Sequence, residues 1–90
     1  MRPAIGHNPP VVVTLYGKPG CHLCEEAREV IRAVRRERPF ELREVDVSTD
    51  PMLHSAFGER IPVVEVEGEE AFEYTVDPGE LRRRIDTVAS

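Results

Sequence analysis

Two cysteines separated by two residues are the part of this sequence best suited to chemistry. Cys21 and Cys24 follow an apolar run and a Gly/Pro turn, and they stand where a helical pattern begins. Residues three apart on a helix share one face, so the two sulfurs are predicted neighbours. Cys21 also lies where unpaired N–H groups and the positive end of the helix dipole favour an anion. The spacing therefore predicts a dithiol redox site in which the Cys21 sulfur readily forms a thiolate.

Length, charge and cysteine content exclude several classes of protein. Ninety residues make one small domain, and a net charge of −5 argues against nucleic acid or an anionic membrane as partner. Two neighbouring cysteines do not make a disulfide-rich secreted scaffold. No apolar run approaches the length of a membrane span, and the N-terminus lacks the apolar core of a secretory signal. We therefore expect a cytoplasmic monomer.

The elements that must position the dithiol are predicted from hydrophobic periodicity and from capping residues. Residues 1–10 contain three prolines and no periodicity, so they are predicted to be a flexible leader before a domain at 11–90. The patterns predict strands at 11–16, 40–47, 61–66 and 71–74, and helices at 22–38, 51–57 and from 78 onward. This βαβαββα order predicts an α/β fold with a four-stranded mixed sheet and helices on both faces.

Three finer predictions concern how these elements pack. The first helix is expected to bury a stripe at helical spacing, formed by Leu23, Ala27, Val30, Ile31 and Val34. The last helix is expected to bury a narrow face formed by Leu81, Ile85 and Val88. In the second strand the apolar alternation slips at residues 43–44, which predicts either a bulge or a weakly paired edge.

The order of elements, the Cys-x-x-Cys after the first strand and the Ile-Pro-Val that opens the third strand together resemble the thioredoxin superfamily. The Cys-His-Leu-Cys-Glu motif is most similar to that of small glutaredoxin-like proteins, and the resemblance covers roughly residues 11–88. It implies that Cys21 is the nucleophile and Cys24 the resolving thiol. It also implies a cis peptide bond before Pro62, with the backbone of Ile61 turned outward to pair with an extended substrate. Lys18 matches a lysine that contacts a glutathione carboxylate in many glutaredoxins.

The resemblance implies thiol–disulfide exchange with a protein client and a thiol reductant. Cys21 attacks a client disulfide, and Cys24 then attacks Cys21 to release the reduced client. A protonated His22 is expected to stabilise the neighbouring thiolate, whereas Glu25 and Glu26 oppose it.

The sequence departs from the glutathione-using members after the fourth strand. They carry a glycine pair there, whereas residues 74–78 read Tyr-Thr-Val-Asp-Pro. Close approach of the glutathione backbone needs those glycines. We therefore expect no cofactor beyond the Cys21–Cys24 disulfide itself, and poor use of glutathione.

Two alternative functions remain open at this stage. Cys21, His22 and Cys24 are possible ligands for a metal or an Fe–S cluster, although a closed zinc site needs four ligands and would have to recruit His54 across the fold. The second alternative is a non-catalytic adaptor that uses the fold to bind a protein. The intact dithiol weighs against that adaptor.

Overall fold

The computed structural model describes residues 10–89, so the predicted leader lies, except for Pro10, outside the described residues. The elements are β1 (Val12–Gly17), α1 (His22–Glu37), β2 (Glu41–Asp46), a short 3-10 turn (Val47–Thr49), α2 (Pro51–Phe57), β3 (Val63–Val66), β4 (Glu69–Glu73) and α3 (Pro78–Ala89). The predicted βαβαββα order is thus confirmed. Between residues 10 and 89, no helix has both the length and the apolar character needed to cross a membrane.

The four strands form one mixed sheet in the order β2-β1-β3-β4. β1 runs parallel to β2, from the pair Val12–Glu41 to the pair Gly17–Asp46. β3 is antiparallel to both β1 and β4, which makes β3 and β4 a hairpin. β1 is therefore a central strand, as its continuous run of apolar and β-branched residues predicts.

Helices cover both faces of the sheet, as predicted. On one face, α1 and α3 pack against alternate residues of β1 and β3, and this core contains Leu15, Ala27, Ile31, Val64 and Leu81. On the other face, Leu53 and Phe57 of α2 pack against a smaller cluster that contains Cys24, Val47 and Ile61. Cys24 thus lies at the end of the sheet where β1 passes into α1.

Local capping residues fix where α2 and α3 begin. Asp50 accepts hydrogen bonds from the backbone N–H groups of Met52 (2.9 Å) and Leu53 (3.4 Å), and Pro51 occupies the first helical position. Asp77 likewise accepts the N–H of Glu80 at 2.7 Å. Both helix starts therefore follow from the sequence.

The packing predictions need two corrections. Leu23 is 40% exposed and Val88 is 47% exposed, so neither belongs to the buried face of its helix. Leu23 lies in the first turn of α1, where it borders residues 74–76 at the protein surface, and Val88 lies in the last turn of α3, beyond Ile85. Helical spacing identifies a common face, but it does not show how far the neighbouring elements cover that face.

The predicted irregularity at residues 43–44 is a sheet edge and not a bulge. β2 pairs with β1 without a register shift, and it is an outer strand of the sheet. Its interleaved charges are tolerated because an edge strand is exposed to solvent. The register shift of this sheet lies between β3 and β4, at Val64 and Glu65.

Candidate active site

Cys21 is the N-cap residue of α1, with an extended backbone (φ −91°, ψ 113°). Its sulfur accepts a hydrogen bond from the backbone N–H of Cys24 at 3.2 Å, and its carbonyl oxygen accepts the N–H of Glu25 at 3.1 Å. The Cys21 side chain is half-buried. A sulfur in this capping position lies against unpaired N–H groups at the positive end of the helix, which is a favourable place for a negative charge.

Cys24 is a free thiol that is only 1% exposed. It packs with Val47 and Ile61, and Cys21 contacts the same cluster. Burial and, after it, the hydrogen bond with Cys21 raise the pKa of Cys24, the Lys18 N–H and the Arg28 charge lower it, and the net result is a pKa of about 11. Cys24 therefore remains a protonated thiol at neutral pH, next to the more accessible Cys21.

Ile61 and Pro62 lie next to the dithiol and immediately before β3. Ile61 is 8% exposed and packs in the cluster that contains Cys24, and Pro62 is fully buried. The Ile61–Pro62 peptide bond is cis. The carbonyl oxygen of Pro62 accepts the backbone N–H of Tyr74 at 2.8 Å. The structure thus brings these two candidate substrate-binding residues to the cysteines.

Lys18 and His22 are exposed residues on either side of Cys21. The backbone N–H of Lys18 acts on the Cys24 thiol and lowers its pKa. The imidazole Nε2 of His22 lies 2.9 Å from a carboxylate oxygen of Glu26, one helical turn away. The ring is therefore engaged with Glu26, so its predicted action on the Cys21 thiolate stays a prediction.

Three residues of the site were not singled out from the sequence as functional candidates. Tyr74 has a left-handed backbone (φ 71°) although it is not a glycine, and it borders a small cavity beside Leu23. Arg28 and Gly17 lie beside Cys24. Of these three residues, only Arg28 could have been identified from the sequence. It follows Cys24 by four residues on a helix and therefore shares its face. The sequence around Tyr74 does not predict that its backbone is left-handed.

The metal alternative requires several ligand side chains that lie close together. In the region from residue 10 to residue 89, no group of three or more His, Cys, Asp or Glu side chains is placed to hold a metal ion. His54 is therefore not gathered with Cys21 and Cys24 into a set of ligands.

Comparison with known proteins agrees with this geometry. A family model described as a glutaredoxin-like domain (DUF836) matches residues 12–86. An uncharacterized protein of Mycobacterium tuberculosis is 32% identical over 78 residues, which cover 81% of this chain and 80% of that protein. An uncharacterized protein of Mycobacterium bovis matches with the same identity and coverage.

Solved structures show the same architecture. A protein from Nitrosomonas europaea superposes with a TM-score of 0.72 at 28% identity, covering 84% of this chain and 92% of that one. A protein from X. campestris gives a TM-score of 0.70 at 31% identity, with coverage of 83% and 96%. A mutant thioredoxin from Halobacterium salinarum gives 0.68 at 22% identity, covering 91% of this chain and 77% of that one, which is a likeness of fold. The chain has the thioredoxin fold and belongs to the glutaredoxin-like family whose model it matches.

Proposed function

We propose that this protein is a dithiol oxidoreductase that reduces a protein disulfide through Cys21 and Cys24. The observation that carries the proposal is the hydrogen bond from the Cys24 backbone N–H to the half-buried Cys21 sulfur, with the Cys24 thiol buried beside it. Cys21 offers an accessible sulfur at a position that favours an anion, and Cys24 holds a second sulfur that is closed to solvent. This arrangement suits two successive thiol–disulfide exchanges. Membership of a glutaredoxin-like family supports the same class of reaction.

The reaction proceeds in two exchanges. The Cys21 thiolate attacks one sulfur of the client disulfide, whose S–S bond breaks, and the other client sulfur leaves as a thiolate that takes up a proton. Cys24 then loses its proton and attacks the Cys21 sulfur of the mixed disulfide, which releases the second client sulfur. The client gains two electrons, and the Cys21–Cys24 pair becomes a disulfide that a thiol reductant must reduce.

The client is expected to lie over the surface formed by the Cys21 side chain and the residues around it. Ile61 packs against the cysteine cluster, and two exposed apolar side chains, Leu23 and Tyr74, lie next to each other nearby. Docking an extended segment here would remove that apolar surface from water, which is favourable. Lys18 and His22 are the polar groups that flank the same surface. The proposed substrate-binding set is therefore Lys18, His22, Ile61 and Pro62.

The proposed electron donor is a dithiol and not glutathione. At the start of α3, where glutathione-using glutaredoxins contact glutathione, the Asp77 carboxylate already accepts the Glu80 N–H at 2.7 Å, and Pro78 has no N–H to donate. Tyr74 occupies the segment where a glycine would admit a peptide backbone. An ion pair from the exposed Lys18 to a carboxylate contributes only about 0–1 kcal/mol.

The test compares the parent protein with Cys21→Ser and Cys24→Ser, using a disulfide-containing model protein as substrate and dithiothreitol as donor. The parent should catalyse reduction, and Cys21→Ser should show only the uncatalysed rate. Cys24→Ser should form a mixed disulfide on Cys21 that mass spectrometry detects as an adduct. Full activity in Cys21→Ser would overturn the proposal.

The same variants identify the client and address the alternatives. Cys24→Ser exposed to cell extract should retain client proteins that a reductant releases, and the double serine variant is the control.

Metal analysis and an absorbance spectrum of the freshly reduced parent test the metal alternative. A stoichiometric metal or cluster would contradict a purely dithiol function. An extract-dependent function that survives in the double variant would instead indicate an adaptor.

A further inference from the structure

The buried Cys24 sulfur is also enclosed by the end of β1 and by the next turn of α1. A β-carbon placed on Gly17 would lie 2.9 Å from the Cys24 sulfur, so the β1 backbone contacts the thiol directly. Arg28 follows Cys24 by one helical turn and shares its face. Gly17 and Arg28 both line a surface cavity of about 320 Å³, together with Lys18, Glu44 and Asp46. This cavity therefore lies beside the part of β1 that contacts the Cys24 sulfur, and Arg28 places a positive charge at its edge.

The Arg28 guanidinium is fixed by a carboxylate from the neighbouring strand. Its Nε atom lies 2.6 Å from an oxygen of Glu44 on β2, and the other oxygen of Glu44 lies 3.4 Å from Arg32. One carboxylate thus bridges two arginines of α1, so this group of three side chains keeps a net positive charge. The Arg28 side chain is only 34% exposed, so its charge is incompletely screened by water.

The other charged and titratable groups near Cys24 come from α1 and its N-cap, from the turn before it, and from strands β1, β2 and β3. They are Cys21 and Glu25 on α1, Lys18 in the turn, Glu44 and Asp46 on β2, and Tyr16 on β1 with its partner Glu65 on β3. Among the side chains of the described residues, Arg28 is the one whose charge lowers the pKa of Cys24. The backbone N–H of Lys18 acts in the same direction.

We infer that Arg28, held by Glu44, is a positioning residue that stabilises the Cys24 thiolate during the second exchange. The inference rests on the proposed dithiol function. In that step the Cys24 S–H bond loses its proton to water, the new thiolate forms a bond to the Cys21 sulfur, and the bond between Cys21 and the client breaks. The client sulfur leaves with the electron pair and takes up a proton.

The influence of Arg28 matters most in this step because of the chemistry of Cys21. In the reduced protein, the hydrogen bond and the charge of Cys21 both oppose ionisation of Cys24. A Cys21 sulfur that is bonded to the client carries no charge, so that opposition is removed. Burial then disfavours the Cys24 thiolate, while Arg28 and the Lys18 N–H favour it. A cation one turn away is most useful at the moment when Cys24 must ionise.

The experiment follows the two exchanges separately with an uncharged aromatic disulfide, 4,4′-dithiodipyridine. Cys21 releases the first chromophoric thiol, and Cys24 releases the second when it closes the internal disulfide. Stopped-flow absorbance across the neutral and alkaline pH range gives a rate profile for each phase. Arg28→Gln should slow the second phase about threefold to tenfold near neutral pH and shift its pH midpoint upward. The first phase should keep its rate and its midpoint.

Two further variants separate the charge of Arg28 from a structural effect. Arg28→Lys keeps the positive charge and should keep the second-phase midpoint close to that of the parent. Arg32→Gln removes the same charge from the same helix and the same Glu44 partner, but one turn farther from Cys24, and should change the second phase less than about twofold. A second phase missing from the parent would refute the dithiol function itself. A normal parent with an unshifted midpoint in Arg28→Gln, or an equal shift in Arg32→Gln, would overturn this inference alone.

Discussion

Tyr74 is tied by its backbone and its side chain to the segment that carries Pro62. Its N–H donates to the Pro62 carbonyl oxygen at 2.8 Å, and its hydroxyl donates to the Glu59 carbonyl oxygen at 3.2 Å. Its φ of 71° is a left-handed conformation that costs a non-glycine residue roughly 1–2 kcal/mol. These contacts hold an unfavourable backbone in place beside the candidate active site, which is where such strain concentrates.

Replacing Tyr74 separates the strain of its backbone from the contacts of its side chain. Tyr74→Ala removes the hydroxyl hydrogen bond and keeps the left-handed strain, whereas Tyr74→Gly removes both. We expect the glycine variant to be about 1 kcal/mol more stable than the alanine variant, as measured by urea denaturation. Equal stability of the two variants would show that the left-handed backbone is not strained.

The choice of electron donor should also depend on Tyr74. Its side chain and Leu23 border a cavity of only about 90 Å³ between α1 and residues 74–76, which leaves little room for a tripeptide. The oxidised parent should therefore be reduced much faster by dithiothreitol than by glutathione at equal thiol concentration. Tyr74→Gly should raise the glutathione rate severalfold and leave the dithiothreitol rate unchanged. Saturable, efficient reduction of the parent by glutathione at low millimolar concentration would contradict this prediction.

The stability of the reduced protein should fall in alkaline solution because of Cys24. Burial raises the pKa of this thiol from 9.0 to about 11 in the folded state. A raised pKa means that the unfolded chain ionises first, so this contribution to stability is complete below about 9 and is lost as the pH rises toward about 11. Chemical denaturation of the parent under reducing conditions should show this decline.

Cys24→Ser is the control for that decline. The serine variant should lose part of the alkaline slope in the free energy of unfolding. Some slope should remain, because burial, and after it the Glu65 carboxylate, also raise the pKa of Tyr16. Identical slopes for the parent and the serine variant would contradict the role of Cys24.

Gly17 should tolerate no side chain. A β-carbon at this position would lie 2.9 Å from the Cys24 sulfur and 3.2 Å from its β-carbon, so Gly17→Ala must displace the thiol. Overpacking of this kind typically costs about 1–3 kcal/mol. The variant should unfold at lower urea concentration, and its Cys24 should react faster with an alkylating reagent.

Gly79→Ala is the matched control for Gly17→Ala. A β-carbon at Gly79 would meet only the Asp77 carboxylate, at 3.4 Å. Because alanine favours a helix over glycine, this variant should be as stable as the parent or more stable. A Gly17→Ala protein with parental stability and parental Cys24 reactivity would show that the site has room to adjust.

The sequence by itself determined the order of elements and the local geometry of the dithiol. Capping and helix spacing act between residues a few positions apart, so Asp50 and Asp77 mark the starts of their helices wherever those helices pack. In the same way, Cys21 at the start of a helix predicts its capping role and the proximity of Cys24. The central position of β1 also followed from its composition, because a strand buried on both faces is apolar throughout.

Only the tertiary structure decided which groups surround the dithiol. Periodicity names the residues that share a face of one element, but the elements that cover that face are distant in sequence. That is why Leu23 is exposed despite its helical spacing, and why the irregularity predicted in β2 is a solvated edge. The pairing of Arg28 with Glu44, the contact of Gly17 with Cys24 and the left-handed backbone of Tyr74 all arise where separate elements meet. Their chemistry depends on burial and on distances of a few ångströms, which the packing of the sheet and helices sets.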